Sequence, residues 1–569
     1  MSRARMLMPV PPAVAPPRCV ALSGQDDLAR MTPPLDRVLC DDFDLAGLAG
    51  KLCPARREDG SAVIFAVQDE ARSDAAWELA RQLQQRGYRL ADPVCVILPA
   101  TLLLALASRR VRSDTLNSRR QVLADPQRSA LSHAFAEIVA WGVRAHASDI
   151  HLNVRTRHAE SQVRYTVAGR YVSPDGYARM PTATLREILS VAWMEVQGGN
   201  GSVFDPAIEQ QGRIWHQAAG RHVMLRWASL ATDAGPSVCL RIVRLDDTVA
   251  TADLAGLGYL PGQVDILARA CRVEGGAVVL AGVVGSGKST TLAGMMRTIP
   301  ETRKVITLED PVEYLIPGAL QNTVGRDLET PEATVFDAKL RTLKRSAMND
   351  LMIGEIRDVQ TGRAFMDLAG SGVSVYTTTH AGSAVLVAER LASDFIGIAR
   401  DFLATPGVLK LLGYQALLPA LCQACALPLD SLGADRRDTR DWRGWVGGIE
   451  SAYGVDCAGM RVRNPAGCPQ CAPGQLPGLA GTRGRTVVAE FVEPDADPEC
   501  LRLIRARDNL GLARHVVASR RAAFDSPDMS GKSAMACGLY KALQGWVDPR
   551  DVEARFRPFD HVPAWERGR

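Results

Sequence analysis

The amino-acid sequence predicts a multidomain α/β protein, and three observations carry that expectation. The chain has 569 residues, room for about three or four domains at the usual roughly 100–200 residues each. Its 47% hydrophobic and 23% charged content is that of a globular protein and excludes wholesale disorder or a collagen-like repeat. Short apolar runs of strand length alternate with helical stretches, the pattern of a parallel sheet with crossover helices.

The elements follow in order. Residues 1–36 are proline-rich and read as a flexible leader. A strand (Ala62–Val67), a helix (Asp74–Gln85) and an apolar strand (Val94–Leu98) then form a small α/β unit, so residues 1–117 read as leader plus docking domain. The longest apolar run, Val94–Ala107, contains Pro99 and falls short of the about 20 residues a spanning helix needs. It reads as a buried strand, turn and helix. The N-terminus has no apolar stretch of signal-peptide length, so a cytosolic protein is expected. The 13 cysteines then point to metal or redox chemistry before disulfides.

Residues 118–250 open with a helix and continue in strands at Gln162–Val167, His222–Leu230 and Ser237–Val243. Residues 251–260 lack periodicity and read as a linker, and residues 261–420 as the parallel-sheet unit. A cysteine-bearing module covers 421–475, and 476–569 is helical from Pro498 onward.

Charge narrows the function. With 67 basic and 63 acidic residues the net charge is +4, which argues against a surface built to coat nucleic acid or anionic lipid. Eight of the basic residues are lysine, at 51, 288, 304, 339, 344, 410, 532 and 541. A lysine required by chemistry therefore stands out.

One does. The strand Ala277–Ala281 leads into Gly282-Val283-Val284-Gly285-Ser286-Gly287-Lys288-Ser289-Thr290, and a helix follows. This fits the G-x-x-x-x-G-K-[ST] phosphate loop in its required setting. Glycines let backbone N–H groups face phosphate oxygens, and the helix N-terminus adds partial positive charge. Lys288 would neutralise the β- and γ-phosphates and Ser289 would ligate magnesium. The bland reading, a glycine turn before a core helix, does not account for the lysine.

A phosphate loop alone does not choose between kinase, GTPase, helicase and transport motor. Three further strands end in reactive side chains: Glu309, Asp310 and Glu313 after the first, Glu355 after the second, and Thr377-Thr378-Thr379-His380 at the third. In an open parallel sheet such ends converge on a ligand.

These blocks resemble the Walker A loop, acidic "Asp box", Walker B block and "His box" of the secretion ATPase superfamily, which powers type II secretion, type IV pili and some conjugation systems. The resemblance covers roughly residues 118–560. It implies a RecA-like P-loop ATPase core, a PAS-like α/β middle domain and a zinc-binding module. It also implies that Glu309 polarises the attacking water, Glu355 holds the magnesium shell and His380 senses the γ-phosphate. Three flanking stretches depart from the family pattern: Ala347-Met348-Asn349 before Walker B, Ala381-Gly382 after the His box and Val283-Val284 in the loop. They put turnover and γ-phosphate sensing in question.

In the middle unit, Ala147-Ser148-Asp149-Ile150-His151 keeps the family's opening, while the second arginine and the aspartate of V-R-x-R-x-D-G are replaced. Arg226 and Arg241 resemble the arginines that the family swings over the nucleotide, as arginine fingers. Arg164 is a weaker match. The bland reading is that arginine is abundant in this chain. Arg341 and Arg345 match the family's L-R-x-x-x-R spacing and would couple subunits.

Cys422-Gln-Ala-Cys425 and Cys468-Pro-Gln-Cys471 offer four thiolates to a tetrahedral zinc. Their separation exceeds that of a short zinc ribbon. The export members of the family carry a tetracysteine module at this point, which favours pilus assembly or secretion over retraction. Cys457, Cys500 and the remaining cysteines read as core or incidental thiols.

The resemblance thus implies a homohexameric ATPase using ATP, Mg2+ and Zn2+, cytoplasmic and peripheral at the inner membrane. Its partners would be a platform protein and pilin or pseudopilin subunits. Rivals are a retraction or conjugation motor of the same superfamily, a zinc-containing nucleic-acid motor and a non-hydrolysing nucleotide sensor. Near-neutral charge and 5% aromatic content weigh against nucleic acid.

Overall fold

The computed structural model describes residues 19–22, 31–43, 51–98 (except 69), 126–244 (except 178 and 202), 253–324, 332–434, 441–471 and 478–561, with residues 28, 103, 106, 476 and 563 besides. The leader up to residue 18, most of the apolar run beyond Leu98 and positions 251 and 252 of the linker lie outside them. The chain divides into two compact units, Met1–Ala130 and Leu131–Arg569.

In the first unit, strands β1 (Cys19–Ala21), β2 (Leu35–Val38), β3 (Leu52–Arg57), β4 (Ser61–Ala66) and β5 (Arg89–Ile97) form one sheet in the order β1-β5-β4-β3-β2. Helix α1 (Asp74–Gln85) is capped by Ser73, whose hydroxyl accepts from Ala76 N. Its apolar stripe, Ala76, Leu79, Ala80 and Leu83, packs with Leu52, Ile64 and Ala66. β5 starts five residues earlier than the apolar run predicts, because its first half, Arg89–Pro93, carries Arg89 and Asp92 on its exposed positions and interrupts the apolar run.

The second unit begins with α2 (Pro126–Arg144), whose buried face of Phe135, Ile138, Val139 and Val143 lies in the middle core. The division between the two units, after Ala130, falls inside this helix. Strands β6 (Ala147–Asn153), β7 (Glu160–Val167), β8 (Arg170–Val172), β9 (Met180–Pro181), β10 (Gln210–Ala218), β11 (Arg221–Leu230) and β12 (Ser237–Arg244) form an antiparallel sheet, with α3 (Thr182–Trp193) between β9 and β10. One face is apolar (Ile150, Ile214, Leu225, Ile242) and packs on α2 and α3, while the other is polar.

The core sheet is built from β13 (Ala277–Ala281), β14 (Val305–Glu309), β15 (Ala319–Thr323), β16 (Asp350–Ile353), β17 (Ser374–Thr379), β18 (Leu409–Leu421) and β21 (Thr482–Val492), in the order β15-β14-β16-β17-β13-β18-β21. β21 runs antiparallel to β18; the other pairings are parallel. Both faces are covered, as a parallel sheet requires. Val278 and Leu280 share a core with α4 (Pro261–Arg272) and α5 (Lys288–Met296). Ala277, Val279 and Ala281 face the layer holding α6 (Glu332–Leu343), α7 (Val359–Ala369), α8 (Val387–Leu391) and α9 (Arg400–Leu403).

β19 (Leu427–Pro428), α10 (Trp442–Tyr453) and β20 (Arg461–Val462) lie between β18 and β21. The tail forms α11 (Pro498–Arg505), α12 (Asn509–Ala518), α13 (Ala534–Leu543) and α14 (Pro549–Arg555), which return to the core sheet.

Residues 253–260, read from the sequence as linker, are packed into the fold. Leu254, Tyr259 and Leu260 are buried, and Leu257 O accepts from Val487 N of β21. The buried Lys541 of α13 donates to Gly258 O, Thr486 Oγ1 and Val487 O. Gly258 is required here: its φ is +99° and a Cβ would lie 2.2 Å from Thr486 Oγ1. Sequence periodicity missed the segment because it is pinned by residues more than 200 positions away.

Candidate nucleotide site

Sheet order sets the site. β14, β16, β17 and β13 are consecutive parallel neighbours, so the loops that follow them emerge side by side at one edge. Those loops carry the acids, Glu355, His380 and the phosphate loop.

The phosphate loop turns through φ values of +154° at Gly282, +77° at Gly285 and +84° at Gly287, which glycine tolerates and side chains resist. A Cβ at Gly282 would lie 2.5 Å from both Ser286 Oγ and Gln415 O. Gly287 caps α5 without a side chain, leaving the first-turn N–H groups to the loop. Ser286 Oγ is buried without a hydrogen-bond partner, an orphan of the kind a phosphate oxygen satisfies.

Lys288 is 9% exposed, and its Nζ donates to Gly282 O (2.7 Å) and Val283 O (3.2 Å). Burial lowers its ammonium to about 8, while the charges of Glu355 and Glu313 limit the fall. The hydroxyl of Thr290 meets Tyr314 OH at 3.1 Å, fixing the Asp-box turn over the start of α5. Ser289 follows Lys288 in the first turn, half-buried.

His380 bridges two loops. Its Nε2 is 2.9 Å from Glu355 Oε1, and its Nδ1 is 3.0 Å from Gly282 O. Both partners are acceptors, so the bridge is complete when each ring nitrogen carries a proton. The neighbouring threonines hold the Glu355 loop: Thr378 Oγ1 donates to Gly354 O (2.8 Å) and Thr379 Oγ1 to Ile356 O (3.2 Å).

Glu309 ends β14, 7% exposed, and accepts from Thr307 Oγ1 (2.6 Å) and Gln321 Nε2 (3.0 Å). Burial raises its carboxyl, partly offset by those hydrogen bonds. Of the acids in this stretch it is Glu313 whose charge reaches both Lys288 and Arg241.

The middle sheet presents a row of charge. Arg213, Arg226, Arg241 and Asp149 are successive cross-strand partners on β10, β11, β12 and β6, so their side chains share one face. Arg241 Nε donates to Asp149 Oδ1 at 3.0 Å. Burial would lower the Arg241 guanidinium, but Asp149 and Glu313 hold it above its ordinary value. Arg164 is placed differently: it lies over the Tyr171 ring, 5.0 Å from its centroid. Arg341 lies in the last turn of α6 and Arg345 just beyond the helix, both exposed.

Sequence reasoning missed several supports. Gln415 of β18 donates to Ser286 O (2.8 Å) and accepts from Tyr259 OH (2.8 Å), bracing the phosphate loop from behind. Arg213 belongs to the arginine row, and only the alternation of β10 could have found it. Asp350, which follows the departing Ala347-Met348-Asn349, is fully buried in an ion pair with Arg303 and has a structural place at the start of β16.

The four cysteines meet elsewhere in the fold. Sγ atoms of Cys422 and Cys468 are 3.7 Å apart, those of Cys425 and Cys471 3.8 Å, and those of Cys468 and Cys471 3.8 Å. A tetrahedron with zinc–sulfur bonds of about 2.3 Å has edges of about 3.8 Å, so the spacing fits the ion. Pairing of β19 with β20, Leu427 opposite Val462, closes the long separation between the two knuckles. N–H groups of Cys468 and Gly481 point at Cys471 Sγ and, against the effect of burial, bring its thiol down to about 7.

The sequence is similar to those of known proteins. The type IV pilus assembly ATPase PilB of Thermus thermophilus is 25% identical over 516 residues, covering 88% of this chain and 52% of its own length. Type II secretion system protein E of Pseudomonas aeruginosa is 29% identical over 419 residues, covering 73% of each. Type II secretion system protein HxcR of the same organism is 32% identical over 297 residues, 52% of this chain and 59% of its own. The chain thus spans about half the length of the Thermus relative. The type II/IV secretion system protein family model matches residues 126–536, from α2 through the nucleotide loops and cysteine knuckles into α13, and the chain belongs to that family.

Proposed function

We propose that this chain is an ATP-hydrolysing motor of a type IV pilus assembly or type II secretion system. The observation that carries the reading is the bridge from Gly282 O through His380 to Glu355, beside Lys288 and the orphaned Ser286 hydroxyl. A phosphate loop, an acid and a histidine joined at one sheet edge have little purpose without a nucleotide between them. The names of the relatives support the pilus and secretion setting.

In this reading the N–H groups of Gly285, Gly287 and α5, with Lys288, bind and orient the phosphates. Lys288 then exchanges its own loop carbonyls for phosphate oxygens. Ser289 and Glu355 would hold Mg2+, which neutralises phosphate charge when bound. Glu309, in its buried pocket, orients the attacking water and takes its proton. His380 registers the γ-phosphate through its contact with Glu355. Arg226 and Arg241, with Arg213 beside them, stabilise charge on the transferring phosphoryl group. The four cysteines hold a structural zinc.

ATP would drive movement of the middle sheet against the core in a homohexamer, passed to an inner-membrane platform protein and pilin or pseudopilin subunits. Among the described residues no helix is long and apolar enough to cross a membrane, so membrane association would run through partners. The tetracysteine cluster favours assembly or export over retraction.

Steady-state ATPase assays of wild type, Lys288→Ala and Glu355→Gln test the reading. Wild type should exceed both variants by about 10²–10³-fold. Turnover equal to that of both variants would overturn it.

A further inference from the structure

Cys500, an incidental thiol by sequence, is not isolated. It is 3% exposed in the first turn of α11, with its Sγ within 4.8 Å of a carboxylate oxygen of Asp497. His515 of α12 places Nε2 2.6 Å from Asp497 Oδ2. A sulfur, an imidazole nitrogen and a carboxylate oxygen therefore lie within 4.8 Å of one another, drawn from two helices.

Ordinary structural roles explain only part of this. Asp497 caps α11 by accepting from Glu499 N (3.1 Å), which uses one oxygen and needs neither the thiol nor the histidine. A surface His–Asp pair needs no buried cysteine. Glu499 is already committed to Arg502, so the group is not a diffuse acidic patch. What remains is one carboxylate with a thiol sulfur and an imidazole nitrogen gathered beside it.

We propose that Asp497, Cys500 and His515 form a second transition-metal site, for a borderline divalent ion of the zinc class. The donor types are those zinc takes, three from protein with further positions open to water. Thiolate sulfur and imidazole select against magnesium and calcium. Binding replaces the thiol proton by a metal–sulfur bond and releases that proton to solvent, while the neutral His515 ring carries its proton on Nδ1 so that the Nε2 lone pair takes the metal in place of its contact with Asp497. Neutral imidazole, thiolate and carboxylate then balance the charge of the dication. His515 and Asp497 are half-exposed, which leaves a path for entry.

Position defines the role. β21 runs antiparallel to β18 and ends at the edge where the parallel strands begin. Asp497 follows β21, so the site lies at the edge opposite the phosphate loop. It ties α12 to α11 and is structural, separate from the four-cysteine cluster and from hydrolysis.

The test is cobalt titration of the full chain after metal removal, read by thiolate-to-cobalt charge transfer and by stoichiometry. Wild type should bind two equivalents. Cys468→Ser should lose the four-thiolate spectrum and keep one equivalent with a single-thiolate signature. Cys500→Ser and His515→Gln should each keep the four-thiolate spectrum and lose the other equivalent. His515→Gln, at a half-exposed position, serves if Cys500→Ser does not fold, with circular dichroism confirming its fold. One equivalent in wild type, or two retained in His515→Gln, overturns the proposal. Neither result touches the nucleotide or four-cysteine assignments.

Discussion

His380 Nε2 lies 2.9 Å from Glu355 Oε1 while its other ring nitrogen rests on Gly282 O, so one imidazole joins the loops after β16, β17 and β13. Replacing it removes that joint without opening the core, since the ring is half-buried. His380→Ala should lower kcat by about 10²-fold and leave the unfolding midpoint within about 0.5 kcal/mol of wild type. A variant with normal kcat would remove the histidine from the mechanism.

Nucleotide affinity should fall as pH rises through about 8. Burial lowers Lys288 from 10.5 to about 8 in the free protein, and phosphate binds the charged form. Below about 8 the lysine is protonated and affinity is full; above it, each pH unit should weaken binding by up to about tenfold. The sign for folding is opposite. Between about 8 and 10.5 the unfolded chain holds a proton the folded chain has lost, so Lys288 makes stability rise with pH there. Fluorescent ATP-analogue titrations from pH 7 to 9.5 check the first; affinity flat across that range would contradict it.

Arg226→Ala and Arg241→Ala should each lower kcat by about 10²-fold with a smaller change in KM, and Arg213→Ala should follow the same pattern. Arg241→Lys should not restore activity, because a lysine cannot donate to Asp149 and to an anion through one planar fork. Steady-state kinetics on the four variants decide this. Full activity in Arg213→Ala would show that sharing a face is insufficient.

Cys468→Ser should cost the protein one equivalent of zinc and lower its melting temperature by about 5–10 °C. Metal analysis and calorimetry on the same preparation measure both. Wild-type protein without zinc at this cluster would refute the assignment.

Lys541→Met should destabilise by about 2–4 kcal/mol, because Gly258 O, Thr486 Oγ1 and Val487 O lose their shared donor inside the fold. Urea denaturation gives the value. A cost below about 0.5 kcal/mol would mean that packing alone holds residues 253–260.

What could be read from the sequence was what is local. The phosphate loop is legible because strand, glycine turn, lysine and helix are contiguous, and Asp74–Gln85 because its apolar stripe and Ser73 cap are. Glu355 and His380 could be placed at strand ends, but not joined. The sheet order that makes β16, β17 and β13 neighbours is set by packing far apart in sequence. Gln415 and Tyr259 escaped notice for the same reason: a glutamine in an apolar strand and a tyrosine in an aperiodic segment have no signal until Ser286 lies against the one and Gln415 against the other. The cysteine knuckles were legible as a pattern, whereas Cys500 was not, because its partners make no motif of recognised spacing.

The carbonyl oxygen of Gly478 accepts from Arg170 of the middle sheet and from Arg463, just after β20, both at 2.9 Å. Arg170 also faces Asp551 of α14 at 3.6 Å, and Leu476 and Leu479 pack into the middle core. Gly478 is thus held to β8, a strand of the middle sheet outside the arginine row, and β8 in turn faces α14 of the tail. In the proposed motor this contact through Gly478 O is one hold on the middle sheet, beside the charge of Glu313 at Arg241. Slackening the cysteine cluster in that motor would loosen this hold on the middle sheet, so metal loss should weaken the coupling of ATP turnover to movement before it stops turnover.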